Sequence, residues 1–435
     1  MAPLDIGLMG LVVLVILMGL RMPIGLALNL VSFFGIWAVL SLKSALGAVA
    51  SLPYEFSAHW SLSAIPMFLL MGAIVFHAGL TSALFTAARY WFGRFPGGLA
   101  VATNFASAGF AAASGSSLAT ATAMARIAVP EMLRHRYAPS LATGVVAASG
   151  TLGALIPPSV LFVLYGVFAE ESISKLLIAG IFPGLLTAAI YAGMIIVRCR
   201  LNPELAPSMD ERFSWRQRLA SLRPCWPLPL LILAVIVGLY SGLTTATEAG
   251  AFGAVAAFVI ALFTGRATPQ AMWNALVESV RSTASVFFIA VGAILLTRFM
   301  MVTGVPTYLA ELLAQFGTSA LTVLLFAAVV YLVLGMFLDP IGILLLSLPL
   351  LLPAFEAFEL NGIWLGVIVV KFLEIGMITP PVGLNVYAVK SVMGDTVKLE
   401  EIFKGVGWFL VCEAVIMIML VRWPEISLFL PNLMK

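Results

Sequence analysis

Two short runs of the chain, Gly153-Ala-Leu-Ile-Pro157-Pro158 and Gly376-Met-Ile-Thr-Pro380-Pro381, share the pattern GxxxPP and lie 223 residues apart. Proline cannot continue a helix but suits the first position of the next, so each run reads as an end followed by a restart. Such a break frees carbonyls on the first half-helix and amides on the second. The carbonyls of Gly153, Ile156 and Pro158 then suit a hard cation, with Ser114 and Ser117 adding hydroxyl oxygens from a nearby polar turn. Gly376, Thr379 and Val382, with Gly335 from a second turn, form the equivalent set. Backbone and hydroxyl oxygens suit sodium, as they suit other hard ions. The restarted helices present positive dipole ends, which suit an anion. Cation and anion sites are therefore expected side by side. Gly115, Ser116, Thr120, Asp339, Pro157, Pro380, Pro381 and Asn385 are the candidates for lining the anion site.

The elements that must position these residues are two hairpins and two broken helices. Residues 97–113 and 117–133 form short arms joined by Ser114-Gly115-Ser116-Ser117, and a second hairpin over about 321–356 turns at Gly335-Met-Phe-Leu-Asp339-Pro340. A bilayer span needs about 20 apolar residues, so arms of this length are expected to enter and return. Non-helical backbone at membrane depth is tolerated only inside protein or beside a wet cavity, which makes each turn a candidate site. At the 223-residue offset Ser116 falls on Asp339. Upstream, MGAIVFHAGL at 71–80 resembles VGAILLTRF at 291–299, and short helices are expected at 81–92 and 305–316. One proline pair does no more than kink a helix; the ordered set of hairpin, GxxxPP and helix, repeated, points to two related halves.

Composition sets the class. Of 435 residues 62% are hydrophobic and 10% charged, whereas a soluble domain carries about a quarter charged. The chain is predicted to be an all-α polytopic membrane protein. Apolar runs fall at about 4–20, 23–40, 61–80, 140–168 and 174–197, then at 227–243, 244–264, 283–303, 362–389 and 405–423. The start, MAPLDIGLMGLVVLVILMGL, lacks a basic leading region and is expected to remain as a first membrane helix. Arg198 to Trp226 is the long polar stretch and carries Arg198, Arg200, Arg212, Arg216, Arg218 and Arg223. Positive loops stay in the cytoplasm, so this linker is placed inside. Most of the 23 basic residues then gather on the inner side if both hairpins are re-entrant, with both termini periplasmic. The division is 1–197, a linker 198–226, and 227–435, the halves being inverted copies. Inverted repeats with interrupted helices mark secondary transporters.

Charged residues within apolar runs, namely Asp339, Glu248, Lys371, Glu374, Arg298 and His77, are functional candidates. Lys371 and Glu374 stand one helical turn apart and are positioned to pair. Cys199, Cys225 and Cys412 form no CxxC, so neither a disulfide framework nor a metal site is expected. No Gly-Lys pair occurs, which excludes a phosphate-binding P-loop, and HExxH and GxSxG are missing, which argues against an enzyme.

The stretches SGSSLATATAM, GTLGALIPPSVLFVLYG, TEAGAFGA, GMFLDPIGILLLSLPLLLP and IGMITPPVGLNVYAV resemble the large membrane subunit of tripartite ATP-independent periplasmic (TRAP) transporters, in order and over essentially the whole chain. The resemblance implies an elevator carrier of the ion-transporter superfamily in the bacterial inner membrane. It also implies sodium as the coupling ion, with no other cofactor, and import of a small organic acid. Its implied partners are a periplasmic substrate-binding protein and a small four-helix membrane subunit on a separate polypeptide. The alternative is a stand-alone sodium- or proton-coupled carboxylate carrier of the same fold.

Overall fold

The computed structural model describes residues 2–207, 213–316 and 319–434, and among these the regular structure is entirely helical. Two apolar helices, α1 (Pro3–Gly19) and α2 (Ile24–Val39), lead into α3 (Leu42–Ser57). No apolar run announces α3, because its residues alternate between faces and only Ala45 is buried. Ser41 starts it by accepting from the Ser44 amide at 3.1 Å. Next come α4 (Ala64–His77) and α5 (Ser82–Phe92), then a hairpin of α6 (Gly98–Ser114) and α7 (Ser117–Arg134). A broken helix follows as α8 (Pro139–Gly150), α9 (Leu152–Leu155) and α10 (Val160–Phe168), bent by 44° at the break. The first half closes with α11 (Ile173–Ala179) and the long α12 (Ile181–Leu201).

The linker is more than a loop. It holds α13 (Trp215–Leu222), capped at both ends of its first turn by Ser214 and Gln217. Trp91 on α5 donates to the Arg218 carbonyl at 3.2 Å, and the Arg218 guanidinium lies 5.2 Å from the Trp215 ring centre. The linker is thus docked onto α5; Arg212 lies outside the described residues.

The second half runs α14 (Pro227–Tyr240), α15 (Ala246–Phe263), α16 (Pro269–Thr303) and α17 (Val305–Phe316). A second hairpin pairs α18 (Ala320–Gly335) with α19 (Pro340–Ala357), and a second broken helix joins α20 (Gly362–Ile378) to α21 (Leu384–Met393). The chain then ends in α22 (Leu399–Arg422) and α23 (Glu425–Asn432). Where the apolar run began at 283, α16 begins fourteen residues earlier and reaches 35 residues. Thr268 caps it, Pro269 takes the first helical position, and neither glycine nor proline interrupts 270–291. At 1.5 Å per residue it is about 52 Å long, far more than a hydrocarbon core of about 30 Å requires.

Among the described residues six helices are long and apolar enough to cross a membrane, or up to eight if each of two bent pairs is one span. The chain is a multi-pass membrane protein. One of the six is α19, the second arm of the second hairpin. Its apolar run simply continues through Pro349 and Pro353 without ending the helix.

The two halves interlock. Helix α21 packs on α7 and α8, and the Asn385 amide donates to the Ala147 carbonyl at 3.2 Å. Tyr165 on α10 donates to Gly362 at the start of α20 at 2.9 Å, and within the second half Trp364 on α20 donates to Leu420 of α22 at 2.9 Å. Lipid offers little hydrophobic drive to join helices, so small residues and such polar contacts hold them. At the α8–α22 crossing the contact is backbone on backbone: a Cβ at Gly144 would sit 2.6 Å from the Gly405 carbonyl carbon. Gly405→Ala is therefore expected to destabilise the purified protein by roughly 1–3 kcal/mol through overpacking. Gly407→Ala, where nothing lies within 4 Å of the added carbon, should be nearly neutral in the same thermal unfolding measurement in detergent.

Candidate functional site

Each hairpin tip meets a helix break. In the first, Gly115 takes a left-handed conformation (φ 60°), and a Cβ there would collide with the Pro158 carbonyl. A Cβ on Gly153 would sit 2.8–3.0 Å from the Ser116 carbonyl group and the Ser117 amide nitrogen. Ser116 caps α7 by accepting from Ala119 at 3.4 Å, while Ser117 donates to the Thr151 carbonyl at 3.5 Å. Ser114 and Thr120 hold the turn itself, their hydroxyls 3.0 Å apart, with Thr120 also donating to the Ser116 carbonyl at 2.8 Å. Ile156 leaves the helical region (φ −76°, ψ 123°), and its side chain packs against Gly184 of α12.

In the second, Gly335 and Gly376 face one another so closely that a Cβ on either would sit 2.6–2.7 Å from the other's Cα. Gly383, just past Val382, donates to the Met336 carbonyl at 3.3 Å. Thr379 is extended (φ −83°, ψ 134°) and donates its hydroxyl to Ile375 at 2.6 Å. Asp339 caps α19 by accepting from Gly342 at 2.9 Å. Ser116 and Asp339, one offset apart, therefore perform the same task on the second arm of each hairpin. The proline pairs differ in setting: Pro157 and Pro158 are buried, Pro380 and Pro381 exposed. Both pairs contain a cis peptide.

A cavity of about 220 Å³ lies where these parts converge. Gly115, Ser116 and Ser117 line it from the first tip, Asp339 and Pro340 from the second. Ala154, Val160 and Leu161 come from the first broken helix, Met377 and Leu384 from the second, with Leu69 of α4 and Ser282 and Val286 of α16 completing the wall. Thr120, Pro157, Pro380, Pro381 and Asn385 are not in this lining. Thr120 and Asn385 are fully buried, the Thr120 hydroxyl bonded within the tip and the Asn385 amide nitrogen bonded to Ala147, while the Asn385 Oδ1 has no hydrogen-bond partner among the described residues. A second cavity of about 550 Å³ shares Ser116 and Leu118 with the first and continues along Thr122, Arg126 and Glu278.

The remaining charges sort by partner. Glu248 is exposed and caps α15, accepting from Thr245 at 2.8 Å. His77 on α4 pairs with Glu278 of α16 at 2.6 Å, so it is not a lone packed residue. Arg298 is exposed on a separate crevice of about 590 Å³ with His59, Glu170 and Glu171. Lys371 and Glu374 do pair, at 3.2 Å, but Lys371 approaches Glu413 of α22 more closely, at 2.6 Å. Tyr191 of α12 donates to Glu413 at 2.5 Å. The sequence reading missed Glu413 and Tyr191, because neither lies near a motif. A single carboxylate inside the apolar run of α22 was the available signal.

A helical membrane protein whose two hairpin tips and two broken helices meet at one internal cavity has the architecture of a transporter. Residues 11–426 match the family described as the DctM component of tripartite ATP-independent periplasmic transporters, and the chain belongs to that family. It is 38% identical over 381 residues to the C4-dicarboxylate TRAP transporter large permease protein of Pseudomonas aeruginosa, covering 87% of this chain and 88% of the relative. To the C4-dicarboxylate TRAP transporter large permease protein of Rhodobacter capsulatus it is 32% identical over 445 residues, covering 98% of each. To the sialic acid TRAP transporter permease protein of Haemophilus influenzae it is 29% identical, covering 98% of this chain and 68% of the relative. The chain is thus a TRAP transporter large permease, a transport protein rather than an enzyme. Among solved structures it is similar to the Alcanivorax borkumensis YdaH transporter, with a TM-score of 0.65 at 13% identity over 89% of this chain and 90% of that one, a likeness of fold alone.

Removing one partner from a fully buried ion pair leaves an uncompensated charge, at a cost of about 3–5 kcal/mol. Lys371→Met is expected to lower the thermal unfolding midpoint accordingly. The triple variant Lys371→Met, Glu374→Gln, Glu413→Gln should recover most of that loss in the same assay.

Proposed function

We propose that this permease is a sodium-coupled importer of a small organic anion, working with a periplasmic binding protein and a small membrane subunit. The observation that carries the reading is the single cavity at which both tips and both breaks converge. Residues 1–197 and 227–435 are read as inverted repeats around the cytoplasmic linker 198–226, with re-entrant hairpins, periplasmic termini and an inner-membrane location. One sodium site comprises the carbonyls of Gly153, Ile156 and Pro158 with Ser114 and Ser117; the other comprises Gly335, Gly376, Thr379 and Val382. The absence of side chains at Gly153, Gly335 and Gly376 is what lets backbone approach backbone there, and Ile156 and Thr379 supply carbonyls turned out of the helix. Oxygen ligands of this kind suit a hard monovalent ion.

The amide ends of α7 and α19 face the cavity beside Gly115, Ser116 and Asp339, and helix N-termini favour anions. Relatives named for C4-dicarboxylate and for sialic acid favour a carboxylate as the group recognised. An elevator movement of the tips and breaks against α2, α4 and α16 would expose the cavity to each side in turn. For the small subunit, Trp37 and Trp60 offer exposed aromatic surface, whereas Trp91 bonds to the linker and Phe92 stacks on Phe105. Exposed Phe34 beside Trp37 extends that surface along α2.

In proteoliposomes supplied with the binding protein and a C4-dicarboxylate, uptake should follow an imposed sodium gradient and survive collapse of the proton gradient. Uptake driven by protons alone would overturn the sodium reading, and full uptake without the binding protein would favour a stand-alone carrier. Ser117→Ala and Thr379→Ala each remove one oxygen from a buried ion, at about 1–3 kcal/mol, and should raise the half-saturating sodium concentration roughly 5- to 150-fold. Thr122→Ala, farther along the same arm and outside both proposed sites, should change it far less. Co-expression with the small subunit is expected to raise the unfolding temperature of the purified chain; no gain would count against docking on the α2 face.

A further inference from the structure

The two hairpins differ in what lies beside their second arms. At the 223-residue offset Leu118, Thr122 and Arg126 of α7 fall on Ile341, Leu345 and Pro349 of α19. The α19 set is apolar, Leu345 is fully buried, and α19 packs closely on α16 and α17. Helix α7 packs instead on α6, α8 and α21, and it looks at α4 and α16 across the cavity of about 550 Å³. Residues spaced by four lie on one helix face, so Leu118, Thr122 and Arg126 form a single stripe along that cavity. The stripe starts beside Ser116, which also lines the central cavity, and Arg126 stands about 15 Å farther along at 1.5 Å per residue. The far end of this arm meets the linker, where the Ala138 amide donates to the Leu205 carbonyl at 2.9 Å.

Arg126 is exposed on the cavity wall and, among the described residues, has no carboxylate partner. Glu278, which lines the same cavity, is paired with His77 at 2.6 Å, and Glu131, farther along α7, with Arg89 at 2.6 Å. Arg266 adds a second cation at the opposite wall, where it donates to the Gly79 carbonyl. A guanidinium in a cleft with low-dielectric walls concentrates anions, and its planar fork matches a carboxylate. We propose that Arg126 is a second anion subsite on the route to the cytoplasm, receiving the substrate carboxylate as it leaves the tip of α7. The proposal rests on the reading of the central cavity as the organic-anion site and of the linker as cytoplasmic. On that reading the packed α19 is the side that is shut, and the α7 face is the side that is open.

The test uses proteoliposomes holding the permease and its small subunit, with succinate-loaded binding protein outside and an inward sodium gradient. Because the binding protein is outside only, uptake reports the copies whose cytoplasmic face is lumenal, and lumenal succinate reaches only their inner side. Lumenal succinate should inhibit wild-type uptake by holding the inner subsite. Arg126→Gln should lower maximal uptake and raise the lumenal succinate needed for half-inhibition, each roughly 10-fold, with the half-saturating binding-protein concentration unchanged. Arg126→Lys keeps the charge without the fork and should recover part of both. Thr122→Asp places a carboxylate one turn before Arg126 on the same face, occupies it, and should act like Arg126→Gln with the arginine still present. Arg134→Gln is the control: exposed near the end of α7 and outside the cavity lining, it should leave both values unchanged. Wild-type values in both Arg126→Gln and Thr122→Asp overturn the subsite while leaving the carrier reading intact. An equal loss in Arg134→Gln also overturns it, since general surface charge then suffices. A loss in Arg126→Gln seen only in vesicles containing phosphatidylglycerol, with lumenal inhibition unchanged, assigns the guanidinium to a lipid phosphate and overturns it too. No uptake by wild type overturns the carrier reading, and the subsite with it.

Discussion

Backbone polar groups have no water to turn to inside a bilayer, and this fold depends on how it answers that constraint at two places. At 156–159 and 379–383 the helical hydrogen-bond ladder stops, in regions where each unsatisfied group costs several kcal/mol. The answer at both places is a hairpin tip pushed against the break. Because the approach is backbone to backbone, the contact residues have to be glycines, and they are: Gly115 and Gly153 at one, Gly335 and Gly376 at the other. Once tips and breaks are pinned together, residues of both tips and both broken helices line a common space, and the cavity follows from the same packing that makes the breaks tolerable.

Much of this was legible because breaks and turns are local events with strong chemistry. Ser114 to Ser117 ends one helix and starts another through a left-handed glycine and a serine cap, and both signals sit within four residues. Asp339-Pro340 does the same through a cap and a proline at the first helical position. What escaped depends on residues far apart in the chain. The amphipathic α3 has no apolar run to betray it, and α16 extends past its apolar run because nothing in 270–291 stops it. Asn385 looks like a lining residue by its distance from Pro381, yet the fold turns it into the interior, where its amide ties α21 to α8. Trp91 and Phe92 look like a belt or a docking face and are spent on the linker and on Phe105.

The buried Lys371, Glu374 and Glu413 show the same limit in electrostatic form. Spacing along α20 announced the first pair, but a lysine between two carboxylates is a different object from a simple ion pair. Replacing such a group with well-packed apolar side chains is often neutral or stabilising, so stability alone does not account for it. Its cost is bearable here because Tyr191 and Thr187 share the polar load, and it ties three helices, α12, α20 and α22.

The two GxxxPP motifs are equal in sequence and unequal in surroundings, and the difference bears on what a motif can say. The first proline pair is buried against the Ser114–Ser117 tip and α12, so protein groups must serve its freed carbonyls. The second is exposed, with Thr379 and Val382 only half buried, so fewer protein groups of this chain stand against it. An ion entering the first break has to displace more protein contacts than one entering the second. That distinction is made by Gly184 and Thr151 on one side and by the open flank of α21 on the other. A motif locates the place where the helix stops; the helices that pack on it from outside decide how costly it is to occupy.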